Sequence, residues 1–192
     1  MTHSRIQRYN YQQPIASSQS IPFVATVYHP HDDTYAEFNS LLDEILDKLP
    51  NNNGIIMGGD MNASVGRCDS EELSDVLGPF GLNKRNDKGR DLIETYQSNN
   101  LSIMNTFFNS STFITHESFN EQKTKSMLDM IAASVEVKPK VINCQVVHDG
   151  IRSDHSAVRL KLAMYSREFV GNAISKGPID RRSILRKKQG SA

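Results

Sequence analysis

The sequence has no uninterrupted apolar stretch approaching the roughly 20 residues that a membrane-spanning helix requires. Its start, Met1 to Ser20, is polar and lacks the apolar core of a signal peptide. These two absences lead us to expect a nuclear or cytoplasmic protein with no membrane partner. Cysteine is scarce as well: Cys68 and Cys144 are the only two. Two thiols cannot make a disulfide framework, and neither stands in a Cys/His cluster with zinc-like spacing, so both read as buried or incidental thiols. No internal repeat is present. What remains, 192 residues with 38% hydrophobic and 23% charged side chains, is the profile of one globular domain or of a slightly incomplete larger one.

Net charge is zero, yet the charge is unevenly placed. From Tyr165 onward, Arg167, Lys176, Arg181, Arg182, Arg186, Lys187 and Lys188 face only Glu168 and Asp180. The first 164 residues are therefore net acidic. Such a body is a poor duplex-gripping surface, but it could gather carboxylates around a cation. We divide the chain into a polar, poorly ordered lead-in (1–20), a folded domain (21–164) and a basic flexible tail (165–192). A solvated end is the plain reading of that tail, and a nucleic-acid tether making salt-sensitive phosphate contacts is the alternative.

Within the domain, Ile21 to Tyr28 reads as a buried strand broken by His29-Pro30. Asp32, Asp33 and Thr34 are candidate helix caps ahead of Phe38, Leu41, Leu42, Ile45, Leu46 and Leu49, which recur at helical spacing. Asn51-Asn52-Asn53-Gly54 makes a turn. Ile55 to Gly58 is short and apolar, as suits a central strand covered on both faces. A short helical turn is expected around Glu71 to Leu77, and Asn86-Asp87 can cap a helix carrying Leu92, Ile93 and Tyr96. Further strands are expected at Leu101 to Asn105, Thr112 to Thr115, Met127 to Ala133, Val141 to Val147 and Ser156 to Met164. Mixed strands with two helices suggest a layered α/β or α+β sandwich.

Three segments carry candidate chemistry. Gly58-Gly59-Asp60-Met61-Asn62 follows the apolar strand directly, so a carboxylate and an amide two residues apart can face one cavity beside glycines that permit a tight turn. A solvent-facing Asx turn would look the same. Ser153-Asp154-His155 precedes the last strand; a histidine there can act as base, acid or phosphate donor, or merely be exposed. Asp129 lies inside the apolar run Met127 to Ile131. Burying an unpaired carboxylate costs several kcal/mol, so Asp129 sits either at a sheet end in water or against a polar partner. His155 is a candidate partner, since a hydrogen bond to one ring nitrogen would fix the tautomer and leave the other free; a backbone amide is the alternative. His29 and His31, near Tyr28, could line the cleft or sit in an exposed turn, and His116 and His148 have no evident partners.

Taken in order, these segments resemble the endonuclease/exonuclease/phosphatase family, which includes deoxyribonuclease I, apurinic/apyrimidinic endonucleases and the endonuclease domains of non-LTR retrotransposons. Thr26-Val27-Tyr28-His29-Pro30 looks like the family strand ending in a phosphate-contacting tyrosine. GGDMNA at 58–63 resembles its Gly-Asp-x-Asn motif, MLDMI at 127–131 the segment with the aspartate behind the family's histidine, and SDHSAV at 153–158 the terminal Ser-Asp-His. NDKGR, NNL and NTFF between Gly81 and Phe108 look like the retroelement branch. The resemblance implies a deoxyribonuclease I-like fold and phosphodiester hydrolysis by in-line attack of water, assisted by Mg²⁺ or Mn²⁺. It casts Asp60 as the group that orients or deprotonates the water, Asn62 as holding the phosphate and fixing Asp60, and His155 as a donor to the phosphate held by Asp129. Tyr28 would contact the phosphate, and Asp154 would help Asp60 to bind the metal. DNA is the expected substrate, with RNA second.

The family also places a metal-binding glutamate before the tyrosine-bearing strand, whereas residues 1–31 contain no Asp or Glu. We therefore expect a fold incomplete at its N-terminus, with an uncovered sheet edge and core face and weakened metal binding. An inactive remnant, or a phosphatase or phospholipase on the same fold, follows as an alternative. A Ser/His/Asp hydrolase using Ser153 or Ser156 is disfavoured, because no Gly-x-Ser-x-Gly elbow is present.

Overall fold

A computed structural model describes residues 6–8, 22–29, 35–48, 54–119, 121, 123–148 and 153–163. The chain enters as strand β1 (Ile6–Arg8) and continues as β2 (Phe23–Tyr28), where Ala25 and Val27 point into the core while Val24, Thr26 and Tyr28 stay exposed. Helix α1 (Tyr35–Asp47) follows. It buries Phe38, Leu42 and Leu46, which recur every fourth residue and so share one stripe. After it comes β3 (Ile55–Asp60), parallel to β2 with Tyr28 beside Asp60. A parallel pair needs a crossover of about this length, and α1 supplies it.

A long loop with a short 3-10 turn at Glu71–Leu73 leads to α2 (Asp87–Ser98), whose N-cap Asn86 accepts from the amide of Gly89. The same Asn86 Oδ1 also accepts from Ser64 N at 3.0 Å, so one side chain starts the helix and pins the loop that leaves β3. Gly89 is required at that junction, because a Cβ there would lie 2.0 Å from Ser64 O. Strand β4 (Leu101–Ile103) is followed by the small hairpin of β5 (His116–Glu117) and β6 (Lys125–Ser126). Then come β7 (Asp129–Ser134), β8 (Val141–Val147) and β9 (Ala157–Leu162).

The central sheet runs β1-β2-β3-β7-β4, and β8 and β9 form a separate two-stranded sheet. The helices' apolar faces, with Leu92, Ile93 and Tyr96 of α2, join Ala25, Val27, Met57 and Met130 of the sheet in one core. On the opposite face Ile56 and Ala133 pack with Cys144 of β8 and with Val158, Leu160 and Leu162 of β9. This is a layered α/β sandwich of helices, central sheet and smaller sheet. Among the described residues, Val24 of β2, on the face opposite the helices, is 49% exposed.

Several sequence-based expectations need correction. The lead-in 1–20 contains a strand: β1 pairs antiparallel with β2, so that edge of β2 is covered. Strand pairing is satisfied by backbone hydrogen bonds, and three residues are too few to show a side-chain period. Thr112 to Thr115 is not a strand. Thr115 instead turns a buried hydroxyl toward the chain ahead of β7. The fourth strand stops at Ile103 because Met104–Thr106 forms a 3-10 turn that aims Asn105 at β7. His29 is buried, packed edge-on against Phe38 at 4.2 Å between ring centroids, and does not line an exposed turn. His31, the predicted caps Asp32, Asp33 and Thr34, Asn51 to Asn53 and the tail 165–192 lie outside the described residues.

Candidate active site

The parallel pairing of β2 with β3 brings two strand ends to the same edge, and antiparallel β7 begins where they finish. Tyr28, Asp60 and Asp129 therefore stand in a row, as register partners across two strand pairs. The row depends on Gly59, whose φ is +156° and whose added Cβ would fall 1.7 Å from Val27 O. No other residue fits there, so glycine is what lets β3 deliver Asp60 in register.

Asn62 takes a positive φ of 45°, a conformation asparagine adopts more readily than most residues. Its amide N–H donates to Asp60 Oδ1 at 3.0 Å, and its side-chain Nδ2 donates to His29 O at 2.7 Å. His29 N in turn donates to Asp60 O at 2.8 Å. The Gly-Asp-x-Asn segment thus closes a local ring that holds the Asp60 carboxylate and ties it to the end of β2. This is an Asx turn, as the sequence alone also allows, built here at a sheet edge.

Asp129 is held from three sides. Its amide donates to Thr115 Oγ1 at 2.9 Å, and its carbonyl accepts from Asn105 Nδ2 at 3.1 Å. Its carboxylate Oδ2 meets His155 Nδ1 at 2.8 Å. Asn105 Oδ1 also accepts from Ile131 N at 2.8 Å, so this one amide side chain braces two consecutive same-facing positions of β7. The backbone of residues 115–117 carries the 153–156 loop to the site: Ser156 N donates to Thr115 O at 2.7 Å and Glu117 N to Asp154 O at 2.8 Å. His116 pairs with His155 as an isolated bridge.

The electrostatics follow from this crowding. Burial, and secondarily the neighbouring charge of Asp129, raise the Asp60 pKa above the usual aspartate value, although the Asn62 amide bond opposes them. Burial of His155 disfavours its charged form, but the hydrogen bond and charge of Asp129, with the charges of Asp60 and Asp154, outweigh it and leave the His155 pKa raised. With Nδ1 committed to Asp129, Nε2 is the ring nitrogen left for another partner, and it donates when the imidazole is protonated. Three carboxylates around one imidazole form an oxygen-rich, negatively charged edge. That donor set fits a hard divalent cation such as Mg²⁺ or Mn²⁺, which takes oxygen ligands and few carboxylates.

Tyr28, Asp60, Asn62, Asp129, Asp154 and His155, all singled out from the sequence, come together at this edge. Sequence reasoning missed Asn105, Thr115 and His116. Asn105 lies in NTFF and Thr115 beside His116, so the local sequence marked the neighbourhood without showing what these side chains bond to. The serine-hydrolase alternative is not supported by geometry: Ser156 Oγ hydrogen-bonds His148 Nδ1 at 2.9 Å, and Ser153 Oγ accepts from His155 N, so neither serine hydroxyl bonds the His155 ring.

A layered sandwich whose carboxylates and histidine meet at one sheet end defines the deoxyribonuclease I-like class. The structure matches the endonuclease domain of TRAS1, a telomere-specific non-LTR retrotransposon, with a TM-score of 0.58 at 18% identity, covering 76% of this chain and 59% of that one. It also matches a 3′ phosphatase from Neisseria bound to a product DNA hairpin (TM-score 0.57, 14% identity, 76% and 62% coverage). An AP endonuclease from Archaeoglobus fulgidus gives a TM-score of 0.54 at 13% identity, with 74% and 62% coverage. The family profile described as endonuclease-reverse transcriptase matches residues 23–159, and the chain belongs to that family. Craniofacial development protein 2 of Bos taurus is 38% identical over 97 residues, 47% of this chain and 16% of that protein. The Tragulus javanicus protein of the same name is 36% identical over 86 residues, 45% and 14% respectively. The chain thus spans a small part of the curated relatives it matches. Among the described residues no helix is long and apolar enough to cross a membrane.

Proposed function

We propose that this chain is a metal-dependent phosphodiester hydrolase, an endonuclease domain of retroelement origin that acts on DNA. The observation that carries the reading is the Asp129–His155 pair at 2.8 Å, set beside Asp60 in register on the next strand. Asp129 orients the imidazole, and the raised pKa of His155 favours the protonated ring, whose Nε2–H can donate to a non-bridging phosphate oxygen as negative charge develops there. Asp60, with its own pKa raised, takes the proton of the attacking water, and Asn62 keeps that carboxylate aligned. Tyr28, half-exposed at the same edge, presents its hydroxyl to the phosphate. Asp60 and Asp154 would hold Mg²⁺ or Mn²⁺, which when bound supplies charge neutralisation at the phosphate and acidifies water.

Residues 1–31 supply no further carboxylate, so within the given residues the cation would rest on Asp60 and Asp154. The retroelement assignment leans on the family and on the TRAS1 domain, and a DNA substrate puts the work of the chain in the nucleus or cytoplasm. Supercoiled-plasmid nicking with Mg²⁺ or Mn²⁺ tests the reading. We expect nicking that falls at least ~100-fold in both Asp60→Ala and His155→Ala. No nicking by the parent chain, or equal nicking by both variants, overturns it. A 3′-phosphorylated DNA hairpin assayed in parallel shows whether phosphatase activity dominates.

A further inference from the structure

One side chain at this edge has no part in the scheme above. His116 opens β5, and its bridge to His155 puts the two imidazoles side by side, with ring centroids 4.7 Å apart and planes tilted by 54°. Asp154 Oδ2 lies 3.8 Å from His116 Nε2. One ligand atom from each of His116, Asp154 and His155 falls within 4.8 Å of the others. Two imidazoles and a carboxylate are a donor set of different character from the all-oxygen set offered by Asp60 and Asp154. Mg²⁺ prefers oxygen and dehydrates reluctantly, whereas imidazole favours ions of the Zn²⁺, Co²⁺ and Ni²⁺ class.

The geometry points to a binding site for a borderline-soft transition-metal ion, of which Zn²⁺ is the type, formed by His116, Asp154 and His155. Three features of the structure support it. Asp129 already bonds His155 Nδ1 at 2.8 Å, which is the carboxylate–histidine arrangement that fixes the tautomer and raises the basicity of a metal-ligating imidazole. The backbone is set before any ion arrives, by the His116–His155 bridge and by the bond from Glu117 N to Asp154 O. The side chains of His116, Asp154 and His155 are 21%, 45% and 34% exposed, so an ion can enter. Tetrahedral ligation with metal–donor lengths near 2.0–2.2 Å needs donors roughly 3.3 Å apart, so ion binding would draw the part-exposed Asp154 and His116 side chains inward from their present spacing of up to 4.8 Å. Three protein ligands leave one position for water or a substrate oxygen.

The consequence rests on the proposed nuclease mechanism. An ion held here occupies His155 Nε2 and diverts Asp154, so Zn²⁺ would inhibit Mg²⁺-supported cleavage by taking the phosphate donor. Binding itself is tested without activity. The full chain, freed of metal and kept in phosphate-free buffer, is titrated with ZnCl₂ by calorimetry and with CoCl₂ by visible ligand-field absorption. We expect one ion per chain, bound at least ~100-fold more tightly than Mg²⁺. His116→Ala should weaken Zn²⁺ binding at least tenfold, and Asp129→Asn, which touches no ion, should weaken it by ~10-fold or more through His155.

Absence of stoichiometric binding in the parent, or unchanged affinity in His116→Ala, overturns the site. Should circular dichroism show His116→Ala unfolded, His116→Gln takes its place. X-ray absorption of the unsubstituted Zn²⁺-loaded chain must also show imidazole in the coordination shell, and a shell without it overturns the site. Nicking is read separately. A chain that binds Zn²⁺ but never nicks DNA overturns the nuclease reading and leaves the site standing, while Mg²⁺-supported nicking insensitive to Zn²⁺ at saturating occupancy overturns the competition.

Discussion

At the end of the central sheet where β2 and β3 finish, Asp60 is packed beside Asp129 and its pKa is pushed up by burial and by that neighbouring charge. At the opposite end Glu136 has its pKa pulled down, chiefly by the Ser134 hydroxyl that donates to its Oε2 at 2.6 Å. Ser134 Oγ also accepts from Ile55 N at 2.9 Å, so polar groups there are matched one to another. The far end settles its polar groups as stability requires. The near end gathers three carboxylates around the imidazole of His155, an arrangement typical of sites that perform chemistry.

Substitutions at the two ends should therefore separate activity from stability. Asp129→Asn, which removes the charge that positions His155, should lower nicking on the order of 10²–10⁴-fold. Glu136→Gln should leave the nicking rate within about twofold; a comparable loss from Glu136→Gln would erase the distinction. Gly59→Ala joins the two properties, because the added Cβ meets Val27 O. We expect at least ~3 kcal/mol of destabilisation by urea unfolding, with loss of activity.

Asn105→Ala leaves the Asp129 carbonyl and the Ile131 amide without their partner. We expect about 2–3 kcal/mol lost from stability, together with weaker nicking because Asp129 is no longer braced. Unchanged melting would show that β7 holds its register without it. The smallest effect belongs to the core beneath the second sheet. Burial pushes the Cys144 thiol from 9.0 up to about 12. A raised thiol pKa favours the folded state below the unfolded value near 9, and that advantage is lost as pH climbs toward 12. Relative to Cys144→Ala, the parent should lose about 1 kcal/mol of stability between pH 8 and pH 10, and Cys144 should resist thiol reagents until the chain unfolds.

Some of this architecture was legible residue by residue. Val141 to Val147 and the Asn86-capped helix were readable because burial there follows a local period and capping follows local chemistry. Gly-Asp-x-Asn after an apolar run indicated a strand end, and an aspartate within an apolar stretch required a partner, which His155 provides. Thr115, Asn105 and His116 were not readable in the same way. The contacts of Asn105 and Thr115 with the start of β7 join positions 13 to 26 residues apart, and His116 meets His155 across a still longer separation. No spacing rule relates such positions. β1 escaped notice because backbone pairing to β2 defines it.

By itself, the order of residues determined most of the strands and both helices, the apolar stripes that they bury and which chemical groups were present to act. Tertiary structure alone decided that Asp60, Asp129, Asp154 and His155 would share one edge, and that His116 would join them. The physical reason is that periodicity and capping are properties of neighbouring residues. The meeting of strand ends depends on register, on a glycine with no Cβ to obstruct it, and on side chains that bond to backbone far along the chain.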